Sequence, residues 1–129
     1  MKAPAIRAVG VVGAGTMGSG IAQKMAMEGA RVVLVDTSVP LLDKARRAIE
    51  TLLAEGQKRR VLRPDDARAT LERMTYTTDL GELKDADLVI EAIYEDETAK
   101  RELFSRLDAL VGPEAIFASN TSSLSVAEL

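Results

Sequence analysis

Histidine and cysteine are both absent from the 129 residues. Histidine is the commonest general acid or base near neutral pH, because its ordinary pKa lies there. Any proton transfer that this protein supports must use another residue or a group outside the chain. Without cysteine there is no disulfide framework, no thiolate metal site and no thiol nucleophile. This fits a reducing compartment; a cytoplasmic location and no bound metal are expected. The opening stretch, Met1 to Arg7, lacks the apolar core of a secretory signal. No apolar run approaches the roughly 18 residues of a membrane-crossing helix, so no membrane partner is expected. Charge is also balanced: 17 bases stand against 20 acids, for a net charge of −3. That balance gives no reason to expect nucleic acid as a partner.

With 47% apolar and 29% charged residues, the chain reads as one ordinary globular domain. Arg7 to Val12 is a β-branched apolar run that ends in glycine, the pattern of a strand buried on both faces of a parallel sheet. Met17, Ile21 and Met25 then recur at helical spacing, widened by Ala22 and Ala26, and Gly29 stops that helix. Arg31 to Val35 is a second buried strand and ends at Asp36. Thr37 and Ser38 can cap the next helix, with Pro40 in its first turn. Leu41, Leu42, Ala45, Ala48, Ile49, Leu52 and Leu53 trace its apolar face to about Gly56.

Pro64-Asp65-Asp66 opens a shorter helix to about Met74. Strands are predicted over 75–77, 88–93 and 115–118, with a helix from Glu97 to about Leu110. This α/β order predicts a doubly wound parallel Rossmann sheet with strand order 3-2-1-4-5 and an inserted helical hairpin over 39–74. A complete sheet of this kind has a sixth strand, and Ser125 to Glu128 reads as the start of another helix. The chain is therefore expected to be truncated before the fold is complete.

Gly13-Ala14-Gly15-Thr16-Met17-Gly18 stands between a strand and a helix, the full setting of a dinucleotide fingerprint. Gly13 permits the tight turn, Gly15 lets backbone approach a diphosphate, and Gly18 allows helix to pack on strand. The N–H groups of the helix start and its positive dipole end then face the phosphates. Asp36 lies 18 residues after Gly18, at the end of the second strand. A carboxylate there can accept hydrogen bonds from both adenosine ribose hydroxyls and repels a 2′-phosphate, which favours NAD over NADP. FAD remains the main alternative. The plainer reading is a glycine turn that only links strand to helix, with Asp36 as a surface cap.

Three blocks together resemble the 3-hydroxyacyl-CoA dehydrogenases, including the bacterial 3-hydroxybutyryl-CoA dehydrogenases. They are Gly13 to Ala22, Glu91-Ala92-Ile93-Tyr94-Glu95 with Lys100, and Ser119-Asn120-Thr121-Ser122-Ser123-Leu124. The resemblance implies a hydride transfer between a 3-hydroxyacyl-CoA and NAD. It places Ala92, Glu95 and Lys100 beside the cofactor with Thr16 and Met17, and Asn120 on the nicotinamide side. It gives Ser122 the contact to the substrate's 3-oxygen. The family's base is a histidine positioned by a glutamate, both later in sequence than the Asn-Thr-Ser-Ser segment. A later asparagine belongs to the site as well.

The resemblance therefore implies a chain that binds NAD and does not turn over alone, and homodimers for the full-length enzyme. It also implies that the helical hairpin holds coenzyme A, for which Lys58, Arg59, Arg60 and Arg63 cluster at the tip, Arg59 foremost. On residues alone, other readings stay open. Asn-Thr-Ser-Ser also caps helices well. Glu95 and Lys100 could form an exposed ion pair worth about 0–1 kcal/mol. Four bases in the span 58–63 could be a solvated loop. The alternative functions are another β-hydroxyacid dehydrogenase and a non-catalytic NAD-binding module.

Overall fold

The computed structural model describes residues 7–93, 97–112 and 115–119. Five parallel strands form one sheet: β1 (Ala8–Val12), β2 (Arg31–Val35), β3 (Met74–Thr77), β4 (Leu88–Glu91) and β5 (Ile116–Ser119). Their spatial order is β3-β2-β1-β4-β5, as the sequence predicts. The helices are α1 (Thr16–Met27), α2 (Val39–Lys58), α3 (Pro64–Glu72) and α4 (Glu97–Leu110). A short 3-10 turn, Leu80–Leu83, was not expected and precedes β4. Among the described residues, no helix is long and apolar enough to cross a membrane.

Alternation along the strands builds a core on each face of the sheet. Val9, Val11, Val32 and Leu34 point toward α1, α2 and α3, where Leu42, Ile49 and Leu53 meet them. Val12, Val35 and Val89 point to the other face, against Leu83, Leu107 and Val111. On α1 the fully buried residues are Gly18, Ala22 and Ala26, while Ile21 and Met25 are half-buried at the flank. The larger residues named by the periodicity thus border the contact, and small ones make it. α1 closes at Gly29, whose φ of +107° suits glycine. Two 3.1 Å bonds, from Gly29 N–H to the Ala26 carbonyl and from Ala30 N–H to the Met25 carbonyl, form a Schellman end. Arg73 also donates to the Ala26 carbonyl, at 2.8 Å, tying the end of α3 to the end of α1.

Register places the carboxyl ends in one row: Thr77 beside Val35, Val35 beside Val12, Val12 beside Glu91, Glu91 beside Ser119. The order in which strands are added reverses at β1: β2 and β3 lie on one side, β4 and β5 on the other. That is the switch point where open α/β sheets hold ligands.

Asp87 fastens the opposite end. One of its carboxylate oxygens accepts from the N–H groups of Arg7 and Ala8 at 2.9 and 3.0 Å. Its own N–H donates to the Ala8 carbonyl and its carbonyl accepts from Ile116. The two backbone donors hold the Asp87 carboxyl below its ordinary value of 3.8. A carboxyl depressed on folding stabilises the fold above its unfolded pKa, and that contribution is lost as pH falls through the folded value. Asp87→Ala is expected to lower the melting temperature at pH 7. Thermal melts across pH should show the gap to wild type closing below pH 3.8.

Candidate functional site: a dinucleotide cleft at the switch point

After Val12 the chain must leave the sheet and begin a helix at Thr16. Gly13 turns it with φ +112°, a region that side chains disfavour. Its N–H donates to the Val35 carbonyl at 2.7 Å, and a Cβ on it would lie 2.6 Å from the Ala92 carbonyl oxygen. Gly18 packs so closely on the Gly13 carbonyl that a Cβ would overlap it. Both glycines are thus required by the protein itself.

Gly15 is different. Its φ of −72° is ordinary, and a Cβ there would meet no protein atom within 4 Å. The space above it is an open cradle. Beside it α1 begins with no side-chain cap and no acidic residue in its first turn. N–H groups at such a helix start, together with the positive end of the dipole, suit an anion such as a diphosphate.

Asp36 is half-buried at the end of β2. Its two carboxylate oxygens accept from Ala14 N–H and Ser38 N–H, each at 2.8 Å. One bond tethers the glycine turn to β2; the other is a local turn of the Asx type at the start of α2. Each oxygen keeps a lone pair for a sugar hydroxyl. A cleft of about 820 Å³ runs past these residues. Gly13, Gly15, Met17 and Asp36 line it together with the apolar Leu41, Leu80, Ile93 and Leu103.

Of the residues expected from sequence, Gly13, Gly15, Met17, Asp36 and Ala92 line this cleft. Thr16 is exposed at the helix start and Gly18 lies buried beneath the turn. Lys100 is not among the lining residues. It is buried, with its ammonium 3.4 Å from the carboxylate of Glu91, which is itself wholly buried. Glu91 also accepts from Ile93 N–H at 2.7 Å. The exposed ion pair considered from sequence is therefore corrected for Lys100: this cation is buried against Glu91. Glu95, Asn120 and Ser122 lie outside the described residues.

Arg59 ends α2 with 77% of its side chain exposed, 3.9 Å from Glu55, and does not line the cleft. Arg60, at φ +61°, and Arg63 line a second concavity of about 630 Å³ at the hairpin tip. Among the described residues no group of acids could hold a metal ion. Sequence reasoning missed the Asp36–Ala14 tether, which joins positions far apart in the chain. The Asp36-x-Ser38 pattern carried a signal only for the local turn.

Sheet order, switch point, open cradle and an acid at the end of β2 together define a dinucleotide-binding domain. Residues 8–129 match the family model "3-hydroxyacyl-CoA dehydrogenase, NAD binding domain". A probable 3-hydroxybutyryl-CoA dehydrogenase of Deinococcus radiodurans is 43% identical over 120 residues, 93% of this chain and 43% of that protein. The mitochondrial hydroxyacyl-coenzyme A dehydrogenase of Homo sapiens is 40% identical over 130 residues, 96% of this chain and 41% of that protein. The crystal structure of the Ralstonia eutropha (S)-3-hydroxybutyryl-CoA dehydrogenase superposes with a TM-score of 0.89 at 41% identity, covering 97% of this chain and 44% of that one. The chain belongs to the 3-hydroxyacyl-CoA dehydrogenase family and carries its NAD-binding domain. NAD is accordingly the cofactor, which resolves the FAD alternative. The chain spans less than half the length of these curated relatives.

The three glycines differ in a way that titration and melting can read. Gly15→Ala is expected to cost no more than about 1 kcal/mol of stability. It should nevertheless weaken NAD binding by about tenfold or more, ~1.4 kcal/mol, because the methyl fills the cradle. Gly18→Ala is expected to collapse the melting transition instead. Asp36→Ala removes the ribose acceptor and the tether on Ala14 together. Isothermal titration should therefore show NAD affinity lost with no matching gain for NADP.

Proposed function

We propose that this domain serves the NAD-dependent interconversion of a 3-hydroxyacyl-CoA and its 3-oxo form. The observation that carries the reading is the Gly15 cradle beside Asp36, in a chain 43% identical to a probable 3-hydroxybutyryl-CoA dehydrogenase. Bound NAD supplies the hydride acceptor. The chain's own residues bind and orient. Gly13, Gly15, Thr16, Met17 and Gly18 form the diphosphate turn and Asp36 takes the ribose. Ala92 forms the floor, with Glu95 and Lys100 beside the cofactor. Asn120 orients the nicotinamide side and Ser122 holds the reacting oxygen.

In this reading the hairpin tip takes the coenzyme A phosphates. Arg59 is the foremost contact, and Arg60 and Arg63, which line the concavity there, stand beside it. These 129 residues hold no histidine. The proton of the substrate hydroxyl would pass to a base outside them. A cytoplasmic homodimer of the full-length enzyme completes the proposal.

The test follows NADH absorbance with acetoacetyl-CoA. The full coding sequence that includes this domain is expected to consume NADH. The 129-residue chain alone is expected to bind NADH and leave it unconsumed. If the full-length product binds NADH and ignores acetoacetyl-CoA, the reading fails, and a non-catalytic NAD-binding module takes its place.

A further inference from the structure

The lining of the cleft includes a stripe of α4 that the glycine turn and Asp36 leave unused. On α4, Leu103, Arg106 and Leu110 fall at i, i+3 and i+7, one stripe of the helix, and all three line the cleft. Leu107, between them in sequence, is wholly buried in the core instead. Arg106 is exposed, and it is the one cation among the described lining residues. The two carboxylates that share the cleft are already engaged by backbone: Asp36 by Ala14 and Ser38, Asp79 by Gly81 at 2.8 Å. No hydrogen bond or ion pair holds the Arg106 guanidinium among the described residues.

Position separates Arg106 from the phosphates. The diphosphate cradle is at Gly15, level with the carboxyl ends of the strands. Arg106 is carried by a different element, α4, about 13 Å along its axis from Glu97. With the ribose on Asp36, the adenine ring is the flat, apolar part of the dinucleotide that suits the leucines lining the cleft. A guanidinium is planar and weakly hydrated, and it stacks on aromatic faces through both its plane and its charge. Leucines flank it on the stripe.

We propose that Arg106 recognises the purine end of the cofactor: its guanidinium lies flat on the adenine ring and closes the open side of the cleft. The leucines supply apolar contact with little preference among rings. Arg106 adds a preference for an electron-rich aromatic face. The proposal rests on the NAD site described above.

The test titrates NADH, adenosine and reduced nicotinamide mononucleotide onto the wild-type chain, Arg106→Met and Arg106→Lys. Methionine keeps apolar reach without the planar cation, and lysine keeps charge without the plane. Both variants are expected to bind NADH and adenosine about three- to tenfold more weakly. Reduced nicotinamide mononucleotide has no adenine and should bind all three proteins alike. Melting temperatures should match wild type, because the side chain is exposed. Unchanged NADH affinity in Arg106→Met overturns the proposal. A loss for NADH that adenosine does not share overturns it too, since that marks a phosphate contact. Full rescue by lysine also contradicts a stacked guanidinium. Absence of NADH binding by the wild-type chain would overturn the cofactor site itself, and this proposal with it.

Discussion

The contact of Gly18 with the Gly13 carbonyl governs how α1 sits on the sheet. No residue with a Cβ can stand at Gly18 while the turn keeps its shape. Below it Ala22 and Ala26 continue the buried stripe, so the helix axis stays close to β1 and β2 along its length. That approach sets the uncapped start of α1 directly over the carboxyl ends of the central strands. β1 is central because β2 and β4 pair on either side of it. The anion-binding end of a helix and the switch point of the sheet therefore coincide. A bulkier residue at Gly18 would lift the helix and separate them.

Charge is then placed around this geometry with little freedom left to side chains. Asp36 reaches across from β2 and fixes the glycine turn through the Ala14 N–H, so one carboxylate joins the end of β2 to the start of α1. Glu91 and Lys100 pair in the interior. Two charges so deeply buried are costly to desolvate, and close pairing with added hydrogen bonds offsets that cost. Glu91 also accepts from Ile93 N–H, which ends β4 and turns the chain across the cleft.

Much of this was legible in the sequence where the pattern has one physical meaning. Val9 to Val12 and Val32 to Val35 are apolar on both faces, and only a covered parallel sheet accommodates that. The α2 periodicity from Leu42 to Leu53 has one stable home, against the sheet. Strand order followed from right-handed crossovers. Other features hid for definite reasons. Large residues on α1 suggested a face of Met17, Ile21 and Met25, yet packing distance is set by the smallest residues. The apolar run 88–93 continued past Glu91, but that carboxylate captures the Ile93 N–H and ends the strand. Burial of Lys100 has no local signature, since its partner comes from a different element. Arg106 carries no signal in the sequence; the fold places it between two leucines on the wall of the cleft.

The central claim is that an anion sits on backbone N–H groups at Gly15 and the first turn of α1, while Asp36 keeps the turn in place. Amide chemical shifts during an NADH titration read this directly. The account predicts that the largest changes fall at Gly15, Thr16 and Met17, with a smaller change at Ala14, whose N–H remains on Asp36. Changes concentrated at the 58–63 tip, with the glycine turn unmoved, would contradict it.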